Sequence, residues 1–252
     1  MVHFVGAGCG AADLITLRGK KLIEAADVII YAGSLVNPEL LEYAGSGCQI
    51  YNSAFMTLDE VIGVIENAEQ RKLMTVRLHT GDPSIYGAVR EQMDRLKELG
   101  IEYDICPGVS SFCGAAASLE CEYTLPGTSQ TVILTRMAGR TAVPEKESIA
   151  SLAEHRASMV IFLSIAMADE LSEQLIKGGY SPDTPAAVVY KATWKDERII
   201  RCRLSELPKA VKDSGITKTA LITVGEHLGN EYELSKLYSP GFETGFRKAD
   251  TK

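Results

Sequence analysis

The chain has 252 residues, 46% hydrophobic and 23% charged, with a formal net charge of −7. That length supports one large or two modest domains. No apolar run reaches the roughly 20 residues that cross a bilayer, and the acidic balance argues against a nucleic-acid partner, whose phosphates call for a basic face. Residues Met1-Val2-His3-Phe4-Val5-Gly6 carry neither a basic n-region nor a cleavage site, so a cytoplasmic location is expected. No Cys-x-x-Cys pair occurs among Cys9, Cys48, Cys106, Cys113, Cys121 and Cys202. These are expected to be reduced, buried, small apolar residues. His3, His79, His155 and His227 lack zinc spacing, so no metal site is expected.

In chain order, β-branched runs predict strands over 2–5, 28–31, 49–51, 74–78 and 103–106. A helix capped by Thr16 is predicted to run to about Ala26. Thr57-Leu58-Asp59-Glu60 reads as a capping box, followed by Leu58, Val61, Ile62, Ile65 and Ala68 on one helical face. A further helix is predicted over 85–99, with Gly100 just past its end. Strands alternating with helices predict a mostly parallel sheet covered on both faces. The pattern breaks near 120–130, around Pro126 and Gly127, and the domain boundary is placed there: 1–120, then 121–240, then a loose tail over 241–252. Beyond the boundary, strands are predicted over 131–135, 159–163, 186–190, 199–203 and 220–224, and helices near 148–155, 166–177 and 205–212. The short polar link Lys191–Arg198 predicts an antiparallel hairpin and a mixed second sheet. The fold class is therefore α/β, in two domains.

Three turns rich in small residues follow strands of the first half. Gly6-Ala7-Gly8-Cys9-Gly10-Ala11 formally fits the dinucleotide fingerprint G-x-G-x-x-[GA]. That fingerprint needs a helix opening within the glycines and an acid at the end of the second strand. Here Ala12-Asp13-Leu14-Ile15 precedes the cap, and the second strand ends in Tyr31-Ala32-Gly33, so an NAD(P)-dependent reductase is the disfavoured alternative. The other turns are Thr80-Gly81-Asp82-Pro83-Ser84 and Pro107-Gly108-Val109-Ser110-Ser111. In an ordinary turn of this composition, Asp82 or Ser84 would cap the next helix.

The three turns in this order resemble the tetrapyrrole (corrin/porphyrin) methylase family. The family opens V-G-A-G-P-G-D-x-x-L-L-T-L-K-G, and residues 5–19 match it with Cys9 at the usual proline and Ala11 at the usual aspartate. Within the family the resemblance is greatest to the carbon-11 methyltransferases of precorrin-4 and cobalt-precorrin-4. It rests on Tyr31-Ala32-Gly33-Ser34-Leu35-Val36, Asn52-Ser53-Ala54-Phe55-Met56, 79–87 and Thr135-Arg136-Met137-Ala138-Gly139-Arg140. A sibling that methylates another tetrapyrrole position is the related alternative, siblings that methylate ribosomal RNA or the diphthamide precursor are not expected to carry this set of segments, and a binding module that has lost catalysis is a third class.

The resemblance implies two α/β domains enclosing a cleft, S-adenosylmethionine as methyl donor, a tetrapyrrole substrate, no membrane, and a homodimer. Carried over by position, the donor is expected at Cys9, Thr80, Gly81, Asp82, Ile85, Ser110 and Ser111, with Leu163 and Ala192 on looser alignment. Core packing is an equal reading of Leu163. No catalytic nucleophile is required. Arg136 and Arg140, on a loop after a strand, are candidates for the substrate's carboxylates, against a plain solvated pair. Tyr31 is a candidate to contact the macrocycle, or else a buried aromatic. His79 at its strand end reads as structural, with an approach to a substrate cobalt as the alternative.

Overall fold

The computed structural model describes residues 1–249, so the last three residues of the tail expected over 241–252 lie outside the described residues. The chain forms two compact units: Met1–Leu119 with Val189–Arg198, and Glu120–Val188 with the remainder from Ile199.

The first unit holds five strands: β1 (Val2–Gly6), β2 (Val28–Tyr31), β3 (Gln49–Asn52), β4 (Thr75–His79) and β5 (Tyr103–Cys106). They lie in the order β3-β2-β4-β1-β5, and every pairing is parallel. Alternation on a strand sends successive side chains to opposite faces. Val2, Phe4, Val28 and Ile30 accordingly pack with Val61, Ile62, Ile65 and Leu96. Val5, Ile29, Val76 and Leu78 pack with Ile23 and Leu40 in a second cluster. Covering both faces is why β1 and β4 are buried along their whole length. The buried charge of Arg77 is satisfied: its guanidinium donates to Gln92 Oε1 (2.9 Å), the Ile30 carbonyl (3.0 Å) and Ser53 Oγ (3.0 Å).

The helices of this unit are α1 (Leu17–Ala25), α2 (Leu58–Gln70), α3 (Arg90–Glu98) and α4 (Ser111–Leu119). Thr16 Oγ1 accepts the Gly19 N–H to cap α1, and Thr57 and Glu60 form the reciprocal box of α2. The helix predicted over 85–99 begins only at Arg90. Gly87 is packed so tightly on Pro83 that a Cβ would sit 2.2 Å from the Pro83 carbonyl oxygen, and Tyr86 and Ala88 take left-handed backbone conformations. Gly100, at φ 68°, follows α3.

The second unit carries β6 (Val132–Arg136), β7 (Ser158–Phe162), β8 (Pro185–Tyr190), β9 (Arg198–Arg203) and β10 (Ala220–Val224), in the order β6-β7-β10-β8-β9. β6 and β7 are parallel and β7 and β10 antiparallel, so the sheet is mixed. Its helices are α5 (Ile149–Ala153), α6 (Ala168–Lys177) and α7 (Leu207–Ser214). The predicted 205–212 helix is divided, with a 3-10 turn over Leu204–Glu206 and α7 after it. The cysteine expectation needs correction: Cys9 and Cys106 are buried, but Cys113 is exposed and the other three are half-buried. No described helix is long and apolar enough to cross a membrane, and no group of three potential metal-ligating side chains occurs among the described residues.

Candidate functional site

Placing β1 between β4 and β5 brings the three small-residue turns together. They leave the carboxyl ends of neighbouring parallel strands, where open α/β sheets bind ligands. Gly8 and Gly81 form a two-way bridge: the Gly8 N–H donates to the Gly81 carbonyl (3.2 Å), and the Gly81 N–H to the Gly8 carbonyl (3.1 Å). A Cβ on Gly108 would lie 2.2 Å from the Gly81 oxygen and 2.7 Å from Gly6 Cα. No side chain fits, so the backbones of all three turns meet directly.

Asp82 fastens the second turn to the third. Its Oδ2 accepts the Gly108 N–H at 2.9 Å, while Oδ1 accepts the Ser84 N–H at 2.9 Å and the Ser84 hydroxyl. Burial pushes the carboxyl pKa up, but the Ser84 hydroxyl and the two backbone N–H groups outweigh it, and Asp82 lies below its ordinary 3.8. The ordinary reading, that Asp82 or Ser84 caps the next helix, is corrected: α3 starts six residues after Ser84, at Arg90. Ile85, expected to open that helix, is half-buried in the turn, its N–H on the Asp82 carbonyl (3.2 Å).

Thr80 carries the clearest sign of a missing partner. Its hydroxyl oxygen is buried without a hydrogen-bond partner, an arrangement that costs about 1–3 kcal/mol unless a ligand or water completes it. His79 Nε2 is also buried without a partner; burial, then the charge of Arg77, lowers its pKa to about 3, so this imidazole is neutral. It stacks on Phe4 with ring centroids 6.0 Å apart, in the body of the sheet.

Cys9 lies in a small network. The Thr193 hydroxyl accepts the Ala11 N–H (2.9 Å) and donates to Cys9 Sγ (3.7 Å). Burial raises the Cys9 pKa, which keeps it a neutral thiol. Asn37 Nδ2 donates to the Gly10 carbonyl (3.0 Å), and a Cβ on Gly10 would lie 2.1 Å from the buried Ala192's carbonyl oxygen. Ser110 is buried immediately before α4, and Ser111 is that helix's first residue. Tyr31 closes β2 beside β4 at the same sheet edge and is half-buried. Cys9, Thr80, Gly81, Asp82, Ile85, Ser110, Ser111, Ala192 and Tyr31 therefore all belong to the first unit.

The remaining predicted residues lie in the second unit, at the ends of the neighbouring strands β6 and β7. Leu163 sits just past β7 at φ 54° and is 62% exposed, which removes core packing as its explanation. Arg136 is the last residue of β6 rather than part of a loop. Its guanidinium donates to the carbonyls of Met137 (3.1 Å), Thr141 (3.1 Å) and Ala142 (2.8 Å), holding the loop that carries the exposed Arg140. Sequence reasoning missed Asn37, Thr193 and Glu197. Each is polar in a segment read as connection; the fold brings Asn37 and Thr193 to the glycine turn, and Glu197 to the Thr193 N–H.

The family model for tetrapyrrole (corrin/porphyrin) methylases matches residues 1–208. The chain belongs to this family. The methylase is 55% identical over 252 residues to the cobalt-precorrin-4 C(11)-methyltransferase of Methanocaldococcus jannaschii, covering 100% of this chain and 97% of the relative. It is 45% identical over 238 residues to the precorrin-4 C(11)-methyltransferase of Pseudomonas aeruginosa, covering 94% of each chain. The X-ray structure of a cobalamin biosynthetic enzyme, cobalt precorrin-4 methyltransferase, matches this methylase with a TM-score of 0.89 at 44% identity. That match covers 91% of this chain and 96% of the other.

Proposed function

We propose that this methylase transfers a methyl group from S-adenosylmethionine to carbon 11 of cobalt-precorrin-4 or precorrin-4 in cobalamin biosynthesis. The observation that carries the reading is the near full-length identity, 55% and 45%, to relatives named for that reaction. The higher identity is to the cobalt-named relative, which favours the cobalt-containing substrate.

The first unit fits a donor of this kind. The Gly6 and Gly108 backbones leave no room for side chains of their own, Gly8 and Gly81 hold the positive φ that favours glycine, and the Thr80 hydroxyl needs a partner. The residues assigned to hold the donor are Cys9, Thr80, Gly81, Asp82, Ile85, Ser110, Ser111 and Ala192 from this unit, and Leu163 from the second. When bound, the donor supplies a sulfonium methyl that an electron-rich ring carbon takes as sulfur accepts the bonding pair. The chain's own work is orientation. Asp82, held by two backbone N–H groups, fixes two turns in one geometry before the donor arrives. Such pre-orientation contributes up to about 7–11 kcal/mol to a bimolecular step. No side chain is assigned a covalent role. Tyr31 is assigned to the macrocycle, and Arg140, exposed on a loop stapled by Arg136, to substrate carboxylates. The same reading describes a cytoplasmic homodimer.

Calorimetric titration with S-adenosylhomocysteine, with NAD as control, tests the donor assignment. Binding of the former alone is expected. Binding of NAD alone would contradict the reading.

A further inference from the structure

The segment Val189–Arg198 joins strands of the second sheet yet groups with the first unit, where it meets the glycine turn. Three of its hydrogen bonds converge on Thr193. The Thr193 hydroxyl accepts from the Ala11 N–H and donates to Cys9 Sγ, which uses its single proton and one of its lone pairs. The Thr193 N–H donates to Glu197 Oε2, which also accepts the Ser118 hydroxyl; that hydroxyl in turn lies 3.0 Å from the Gly114 carbonyl. A line of hydrogen bonds thus runs from α4 through Glu197 and Thr193 to the loop at Cys9 and Ala11.

The backbone conformation of Thr193 makes the choice of residue informative. Its φ is 66°, and Lys191 nearby is at 48°. A β-branched residue in the left-handed region is an outlier that costs on the order of 1–3 kcal/mol, where glycine adopts the same conformation without penalty. The Thr193 methyl lies 3.3 Å from where a Cβ on Gly114 would sit, and its hydroxyl is the bonding group that glycine would lack. The loop it holds also has cysteine where the family has proline, and so lacks the fixed φ that a proline supplies.

We infer that Thr193 is a positioning residue for the methyl donor: Glu197 holds its backbone N–H, and its hydroxyl fixes the Cys9–Ala11 loop in the conformation that receives the donor. The inference rests on the assignment of that loop to donor binding. Thr193 itself acts through the loop. Losing the hydroxyl frees the Ala11 N–H and lets the loop sample other conformations, so the cost falls on donor affinity rather than on the transfer step once the donor is saturating.

The test compares the full-length protein with Thr193→Gly and Thr193→Ser, reading the Kd for S-adenosylhomocysteine, the melting temperature, and KM for the donor against kcat. Thr193→Gly removes the hydroxyl and the backbone strain together. It is expected to melt within a few degrees of the parent protein, bind the product about tenfold more weakly, and raise donor KM similarly while kcat stays within about twofold. Thr193→Ser restores the hydroxyl and is expected to bind within about threefold of the parent. Parent-like affinity in Thr193→Gly, or equal losses in both variants, overturns the inference. If Thr193→Gly does not fold, Glu197→Ala, which removes the acceptor of the Thr193 N–H, decides in its place: a several-fold weaker Kd with parent-like melting supports the inference, and an unchanged Kd overturns it. Failure of the parent protein itself to bind S-adenosylhomocysteine removes the donor assignment and this inference with it, an outcome distinct from a failure confined to the variants.

Discussion

Asp82 is the side chain on which the turn geometry depends most. An ionised carboxylate accepts from Gly108 and Ser84, and charge-assisted bonds of this kind are each worth about 1.5–3 kcal/mol. Asp82→Asn removes the charge and turns one oxygen into a donor facing a donor. The expected result is at least tenfold weaker S-adenosylhomocysteine binding by calorimetry; unchanged affinity would show that the second and third turns hold their shape without it. Two histidines make a separate prediction about pH. Burial lowers His79 to about 3 and His227 to about 4, from an ordinary 6.5. The Thr223 hydroxyl gives its proton to the Met159 carbonyl and so accepts from His227 Nε2, which fixes the tautomer, while burial keeps the ring neutral. Between the folded and ordinary values the unfolded chain binds more protons, so stability is complete above about pH 6.5 and falls as pH drops toward 4. Asp82 adds to this only at lower pH: with its folded value depressed, its contribution is lost as pH falls below the ordinary 3.8. Urea midpoints measured between pH 7 and pH 4.5 are expected to fall, with a shallower slope in His227→Gln; a flat parent profile would contradict the neutral-histidine account.

Elements divide into those whose signals are local and those set by distant contacts. The strands β1, β2 and β4 were legible because apolar runs buried on both faces of a parallel sheet leave little ambiguity. The caps of α1 and α2 were legible because a cap is a short-range hydrogen bond between named side chains and backbone. The start of α3 was not: the apolar face of Val89, Met93 and Leu96 carries a helical pattern back toward Ile85, but the close approach of Gly87 to Pro83 and the left-handed Tyr86 and Ala88 keep 85–89 out of the helix. The hydrogen bonds of the α2 capping box stay within Thr57 and Glu60 and reach none of the three turns, which separates stability from function. Thr57→Ala is expected to cost about 1 kcal/mol of stability, read as a lower urea midpoint, with S-adenosylhomocysteine affinity unchanged. A loss of affinity without a loss of stability would place α2 in the site.

At the scale of the whole molecule, the decisive fact is strand order. Glycines announced each turn in the sequence, but nothing local says that β1 lies between β4 and β5, and it is this order that turns three ordinary loops into one site. The same limit hid Thr193, whose contact with Ala11 spans 182 positions. It also left the role of Arg136 open, since a guanidinium that staples its own loop and one that awaits a carboxylate look alike in sequence. The family was legible because its signal lies in backbone turns, and those turns are written in glycine. The most direct test of the account is transfer itself. The full-length protein is incubated with S-adenosylmethionine labelled with carbon-13 in its methyl group and with cobalt-precorrin-4 or precorrin-4, and the product is examined by NMR. The account predicts a labelled methyl bonded to carbon 11 of the macrocycle. Label at any other ring position, or no transfer to either substrate by a protein that binds S-adenosylhomocysteine, would contradict it.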